Sequence, residues 1–139
     1  MIIYIDGIFH LFHYGHIESF RKCKEFDIDV TLIVGVIGDK VASAYKRQPI
    51  YCEKHRYALV NNSKYVDQTI KDPPLIITKE FMEMYKIDLV VHGFINEEDQ
   101  NKQDKFFEYP KSINKFKTIE YCTEISTSTI IKKLLDNKL

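Results

Sequence analysis

A chain of 139 residues suits one compact domain and leaves little room for a second. Apolar residues make up 45% and charged residues 29%, which excludes a disordered or collagen-like chain and supplies enough apolar side chain for a core. The 20 basic and 20 acidic residues cancel, so whole-chain charge gives no reason to expect a nucleic-acid partner or an acidic membrane surface, although a local pocket for phosphates stays open.

In chain order, residues 2–5 (IIYI) are β-branched and aromatic and are closed by Asp6-Gly7, which predicts a buried strand. Over residues 14–26 the apolar positions Tyr14, Ile17, Phe20, Cys23 and Phe26 recur at helical spacing. Residues 30–37 (VTLIVGVI) form an almost wholly apolar run, the pattern of a parallel strand covered on both faces. A helix is expected over residues 53–61, with Tyr57, Ala58 and Val60 as its apolar members, and Asp72-Pro73-Pro74 is a break. Thr78-Lys79-Glu80 opens another helix with Phe81, Met82 and Tyr85 apolar. Residues 88–92 (DLVVH) read as a third buried strand, and residues 116–121 (FKTIEY) alternate as a fourth would. Residues 96–105 (NEEDQNKQDK) are polar without an apolar face and are expected to be an exposed loop. Residues 126–135 form a last helix with Ile130, Ile131, Leu134 and Leu135 on one face.

Strands alternating with connections of helical length predict an α/β fold: a doubly wound, Rossmann-like parallel sheet with helices on both faces. Ligands of such sheets bind beyond the carboxyl ends of the strands, which directs attention to residues 6–16, Gly38-Asp39 and His92-Gly93. No apolar run approaches the ~20 residues that span a bilayer, and the start of the chain lacks the basic region of a secretory signal. Cys23, Cys52 and Cys122 are odd in number and have no metal-type spacing, so reduced thiols in a cytoplasmic protein are expected.

Three of the five histidines, His10, His13 and His16, fall within seven residues at the carboxyl edge of the first strand. A helix amino end there offers unpaired N–H groups and partial positive charge, and imidazoles at i and i+3 share a face. Such a pair can bind charge developing on a phosphoryl group, with Gly15 between them allowing close approach. Spacing alone leaves two alternatives open. One is a zinc site, for which no third and fourth ligand has fitting spacing; the other is ordinary polar residues at a helix start.

The segment from Asp6-Gly7-Ile8-Phe9-His10 to His13-Tyr14-Gly15-His16 resembles the signature of the cytidylyltransferase family, G-x-F-D-x-x-H-x-G-H. The rest of the chain is similar, in order, to the choline-phosphate and ethanolamine-phosphate branch: Tyr45-Lys46-Arg47, His55-Arg56-Tyr57, Lys64-Tyr65-Val66-Asp67, Val90-Val91-His92-Gly93 and Ile125-Ser126-Thr127-Ser128. The resemblance implies a single catalytic domain over 1–139 that joins CTP to a small phosphoalcohol with release of pyrophosphate, through positioning and charge stabilisation and without a covalent enzyme intermediate. It implies His13, His16 and Lys46 as catalytic residues. It implies Gly7, Ile8, Phe9, Gly15, Arg56, His92, Ile125, Ser126 and Thr127 on the CTP side, and Asp6 with Lys46 on the phosphoalcohol side. Magnesium would arrive with CTP rather than on protein ligands, and the chain would pair as a homodimer through the segment at Lys64-Tyr65-Val66-Asp67.

The chain departs from the family pattern in three places. The aspartate that follows Phe9 in the family is His10 here, and the arginine before the last helix is replaced in the stretch Tyr121-Cys122-Thr123-Glu124. These changes raise the alternative of a weak or inactive cytidylyltransferase-like dimer partner; a related transferase using glycerol 3-phosphate is a separate alternative. Leu75 stands where choline-specific relatives carry tryptophan, and the chain has no tryptophan at all. That leans the expectation towards phosphoethanolamine, because a quaternary ammonium depends on aromatic walls.

Overall fold

The computed structural model describes residues 1–137; the last two positions of the expected 1–139 domain lie outside the described residues. Five strands, β1 (Ile2–Gly7), β2 (Thr31–Val36), β3 (Gln68–Lys71), β4 (Leu89–His92) and β5 (Phe116–Thr118), form one sheet in the order β3-β2-β1-β4-β5. Every pairing is parallel. The chain runs outward from β1 through β2 to β3 and then crosses to β4 and β5, so the order reverses between β1 and β4, the place where open parallel sheets bind ligands. Among the described residues the α-helices are α1 (Tyr14–Lys24), α2 (Asp39–Tyr45), α3 (Glu53–Asn61), α4 (Lys79–Met84), α5 (Glu97–Gln103), α6 (Glu108–Ser112) and α7 (Thr127–Asn137). No helix among the described residues is long and apolar enough to cross a membrane.

Alternation along the strands separates two cores. Ile3, Ile5, Leu32, Val34, Val36, Leu89 and Val91 point to one face and pack with Phe20 and Cys23 of α1 and Val60 of α3. Tyr4, Ile33, Ile70 and Val90 point to the other and meet Phe81 and Met82 of α4 together with Phe106 and Phe107. Strands buried on both faces cannot show a polar alternation, which is why residues 2–5 and 30–37 read as unbroken apolar runs. Gly35 is the exception within β2. A Cβ there would lie 2.2 Å from the Tyr4 Oη and 2.8 Å from Pro73 Cγ, so the gap in β2 is filled by the tyrosine of the neighbouring strand.

Several expectations are corrected. The first helix stops at Lys24, and its outer apolar members Tyr14 and Phe26 are exposed, while Phe20 and Cys23 carry the packing. In α3 only Val60 of the expected apolar trio is buried, and the other buried residue is Arg56. The polar run at 96–105 is not a loop but contains α5. Asn96 caps it by accepting the Asp99 N–H at 2.8 Å, and Gln103 is buried beneath it. Strand β3 and helix α2 have no counterpart among the sequence expectations: each buries a single residue, Ile70 and Ala42, too little for a period to show. The last strand ends at Thr118 rather than 121, and α7 buries none of its residues, Leu134 and Leu135 included.

Candidate active site

The connection from β1 to α1 turns through Phe9, which adopts a left-handed φ of 55°. For a side chain bearing a Cβ that conformation is uncommon, and tertiary packing holds it: the Phe9 ring is buried, edge-on to Phe20 at 5.5 Å and to His16 at 5.2 Å. The chain then enters α1 with His13 as its N-cap. His13 Nδ1 accepts the Gly15 N–H at 3.0 Å, and His16 Nδ1 accepts the His13 N–H at 3.1 Å, a reciprocal capping box made of two histidines.

This arrangement determines the chemistry of both rings. A neutral imidazole that accepts on Nδ1 carries its proton on Nε2, so the hydrogen-bond network assigns each ring an Nε2–H donor. The rings stack with centroids 3.9 Å apart, and Phe12 stacks on the other side of His16 at 5.6 Å. Burial, and then the neighbouring His13, lower the His16 pKa to about 3, and burial lowers that of His13. At neutral pH the turn therefore presents two uncharged donors at the positive end of a helix of eleven residues. With both Nδ1 atoms committed to the backbone, the pair is a poor start for a zinc site. Among the described residues no group of three or more His, Cys, Asp or Glu is placed to hold a metal ion.

The other expected residues fall around this turn. Gly15 is buried, and a Cβ on it would lie 2.8 Å from His13 Cε1 and 3.3 Å from the Ile125 carbonyl, so the approach to α7 passes directly over α1. Ser126 precedes α7 and its Oγ accepts the Thr129 N–H at 3.1 Å, with Thr127 as the first helical residue. Asp6 and His92 sit at the ends of β1 and β4, with Oδ1 and Nδ1 3.5 Å apart; the His92 ring is wedged against Phe94 and Phe107. The residue expected to face the nucleotide and the one expected to face the alcohol are thus neighbours. Phe9 is in the core, so Gly7 and Phe9 have only backbone to offer a ligand, while the Ile8 side chain is part-exposed. Lys46 is the C-cap of α2, with Nζ 5.4 Å over the Tyr45 ring. Lys46 also lines a cleft with Tyr45, Ile95, Asn96, Glu98, Asp99, Lys102 and Gln103; a larger groove between α3 and β3 holds none of the expected residues.

Arg56 is the largest fully buried side chain. Its guanidinium donates to the carbonyls of Tyr51 (3.0 Å), Ile8 (2.8 Å) and Ile37 (2.5 Å) and to Asp39 Oδ1 (2.6 Å). Four of its five N–H donors are thereby used on the protein itself, tying the ends of β1 and β2 to α2 and to the loop before α3. Sequence reasoning noted Asp39 only as a residue at a strand end. In the structure its carboxylate also accepts the Glu53 N–H, while Glu53 Oε1 accepts the Asp39 N–H, so α2 and α3 cap each other. Burial alone would raise the Asp39 pKa, but the hydrogen bonds from Arg56 and Glu53 outweigh it and hold the carboxyl below its usual range. Reciprocal caps between helices fourteen residues apart leave no local pattern, and no signal in the sequence could have revealed them.

A family profile described as cytidylyltransferase-like matches residues 4–133. Choline-phosphate cytidylyltransferase 2 of Arabidopsis thaliana is 35% identical over 134 residues, covering 96% of this chain and 44% of that protein. The ethanolamine-phosphate cytidylyltransferase of the same plant is 35% identical over 140 residues, covering 98% of this chain and 33% of the relative. The choline-phosphate cytidylyltransferase of Saccharomyces cerevisiae is 35% identical over 133 residues, covering 96% and 31%. The chain thus spans less than half the length of these relatives. A crystal structure of a lipopolysaccharide core biosynthesis protein from Thermoplasma volcanium superposes with a TM-score of 0.68 at 23% identity over 88% of this chain and 98% of that one, a likeness of fold. With a profile match over nearly its whole length, this chain belongs to the cytidylyltransferase-like family.

Proposed function

We propose that this chain acts as a single catalytic domain that transfers the cytidylyl group of CTP to a small phosphoalcohol, giving a CDP-alcohol and pyrophosphate for phospholipid synthesis. The observation that carries this reading is the pair of neutral Nε2–H donors of His13 and His16 at the amino end of α1. A phosphomonoester has its second pKa near about 6, so its oxygen is already a nucleophile at neutral pH and no general base is required. The protein's task is to bring that oxygen in line with the α-phosphorus of CTP and to stabilise charge on the non-bridging and leaving oxygens. The two imidazole donors and the helix end serve that purpose without adding a cation that must be desolvated.

In this reading Lys46 contacts the phosphates of both substrates as a mobile point charge. Backbone of Gly7, Ile8 and Phe9, the Gly15 turn, Ile125, Ser126 and Thr127 face CTP, and the Asp6–His92 pair lies where nucleotide and alcohol meet. Arg56, wholly buried, contributes by holding these segments in register rather than by gripping phosphate itself. Magnesium enters as the counter-ion of CTP. The residues around the turn offer no carboxylate set of their own to hold it, since Asp39 is paired with Arg56 and His10 replaces an acid. The chain forms a homodimer through the neighbourhood of Lys64-Tyr65-Val66-Asp67. Its three free cysteines suit the reducing cytoplasm.

Leu75 packs into the second core rather than standing as an aromatic wall, which favours the primary ammonium of phosphoethanolamine. The test incubates the protein with CTP, magnesium and phosphoethanolamine, phosphocholine or glycerol 3-phosphate and follows pyrophosphate release. Turnover with phosphoethanolamine at least equal to that with phosphocholine is expected. A preference of about tenfold for phosphocholine would show that other aromatics rebuild the cage, and no release with any of the three would favour an inactive dimer partner.

A further inference from the structure

We infer that His10, the residue standing in place of the family aspartate, is a positioning residue that fastens the loop beginning at Lys46 onto the histidine turn. The inference rests on the transferase reading for its effect on turnover, but not for the attachment itself. Residues 47–51 make no backbone–backbone hydrogen bond among the described residues. Most of their side chains are exposed, with Pro49 the buried exception. Two side chains hold this stretch instead. His10 Nε2 accepts the Ile50 N–H at 2.9 Å, and Arg56 Nε donates to the adjoining Tyr51 carbonyl at 3.0 Å. Arg56 also grips the Ile8 carbonyl at 2.8 Å, so both attachments lead to the same few residues after β1.

His10 must work in the tautomer opposite to that of His13 and His16. Accepting on Nε2 places its proton on Nδ1. The charged groups that face the ring are Arg47 from the loop and Arg56 from α3, and burial together with these two cations lowers the His10 pKa below its usual 6.5. The ring is thus neutral and able to accept at physiological pH. When acid protonates it, Nε2 becomes a donor, the bond to Ile50 is lost, and a third positive charge arises beside two arginines. A carboxylate at this position would not behave in that way: it would remain an acceptor until its own, much lower, pKa was reached. The substitution therefore ties the seating of the Lys46 loop to the protonation state of His10, and that sensitivity belongs to this chain's own sequence.

Amide exchange in the unliganded protein tests the attachment separately from the chemistry. In His10→Ala, protection of the Ile50 amide should fall by about tenfold, the worth of one hydrogen bond. In His10→Gln, whose side-chain carbonyl can accept but does not titrate, protection should be close to that of the wild type. Lowering the pH of the wild type should remove Ile50 protection in one titration step that His10→Gln lacks, and this pair stays informative if His10→Ala fails to fold. In turnover assays kcat/KM should fall by about tenfold in His10→Ala and recover in His10→Gln, with the acid limb of the wild-type profile absent from the glutamine variant. Unchanged Ile50 protection in His10→Ala, or the same acid step in His10→Gln, would overturn the inference. Loss of protection in a protein that turns over no phosphoalcohol would uphold the attachment and overturn the transferase reading.

Discussion

The rings of His13 and His16 lie nearly face to face, with centroids 3.9 Å and planes 25° apart, while each accepts a backbone N–H of the turn they share. Capping is carried by Nδ1 of both rings, and the proposed transferase reading assigns phosphate to the opposite nitrogen, Nε2, of the same two side chains. Replacing His16 by alanine removes a donor and half the cap together, and kcat should fall by roughly 100-fold or more. The pair also links stability to pH. Because the folded-state pKa of His16 is about 3 against an ordinary 6.5, the unfolded chain takes up a proton below 6.5 that the folded chain refuses. The stabilisation is present in full above 6.5 and is lost as pH falls towards 3, at up to about 1.4 kcal/mol per pH unit from this site. Urea unfolding from pH 7 to pH 4 should show that decline in the wild type and a shallower one in His16→Gln; parallel declines would place the dependence elsewhere.

Gly15→Ala separates folding from chemistry. Alanine in a helix is favoured over glycine by up to ~1 kcal/mol, yet the new Cβ would come within 2.8 Å of His13 Cε1 and 3.1 Å of its Nδ1. The imidazole must swing aside. Calorimetry should find the melting temperature close to that of the wild type, and turnover should fall by at least ~10-fold because the donor is displaced. Full turnover would remove His13 from the chemistry.

Arg56 is a strut. Replacing it by methionine strands the Ile37 carbonyl in the interior and leaves the part-buried carbonyls of Ile8 and Tyr51 and the Asp39 carboxylate without their donor, which should destabilise the fold by about 2–4 kcal/mol. Lysine keeps the charge but not the planar fork, so Arg56→Lys should recover only part of that loss. Denaturant midpoints measure both. If Arg56→Met unfolds like the wild type and only the KM for CTP rises, the guanidinium acts on the nucleotide alone.

The chain order of apolar runs and punctuating residues was sufficient to establish a parallel α/β sheet, because strands buried on both faces leave long uninterrupted apolar stretches such as residues 30–37. The cluster of His10, His13 and His16 after the first strand was legible for a similar reason, since topology places the carboxyl ends of such strands at the ligand edge. Helix α5 was missed because its cap and its buried Gln103 are polar, and polar residues do not announce burial. The apolar face of α7 was legible too, but a period reports a face and not whether anything covers it: Ile130 and Ile131 are half-buried and Leu134 and Leu135 exposed. Only the tertiary structure decided the protonation and tautomers of the histidines, which depend on which backbone N–H each nitrogen receives and on the aromatic rings that exclude water. It alone turned Arg56 inward, because a guanidinium's destination is set by carbonyls at residues 8, 37 and 51, far apart in sequence and brought within 3.0 Å of it only when the strand ends meet.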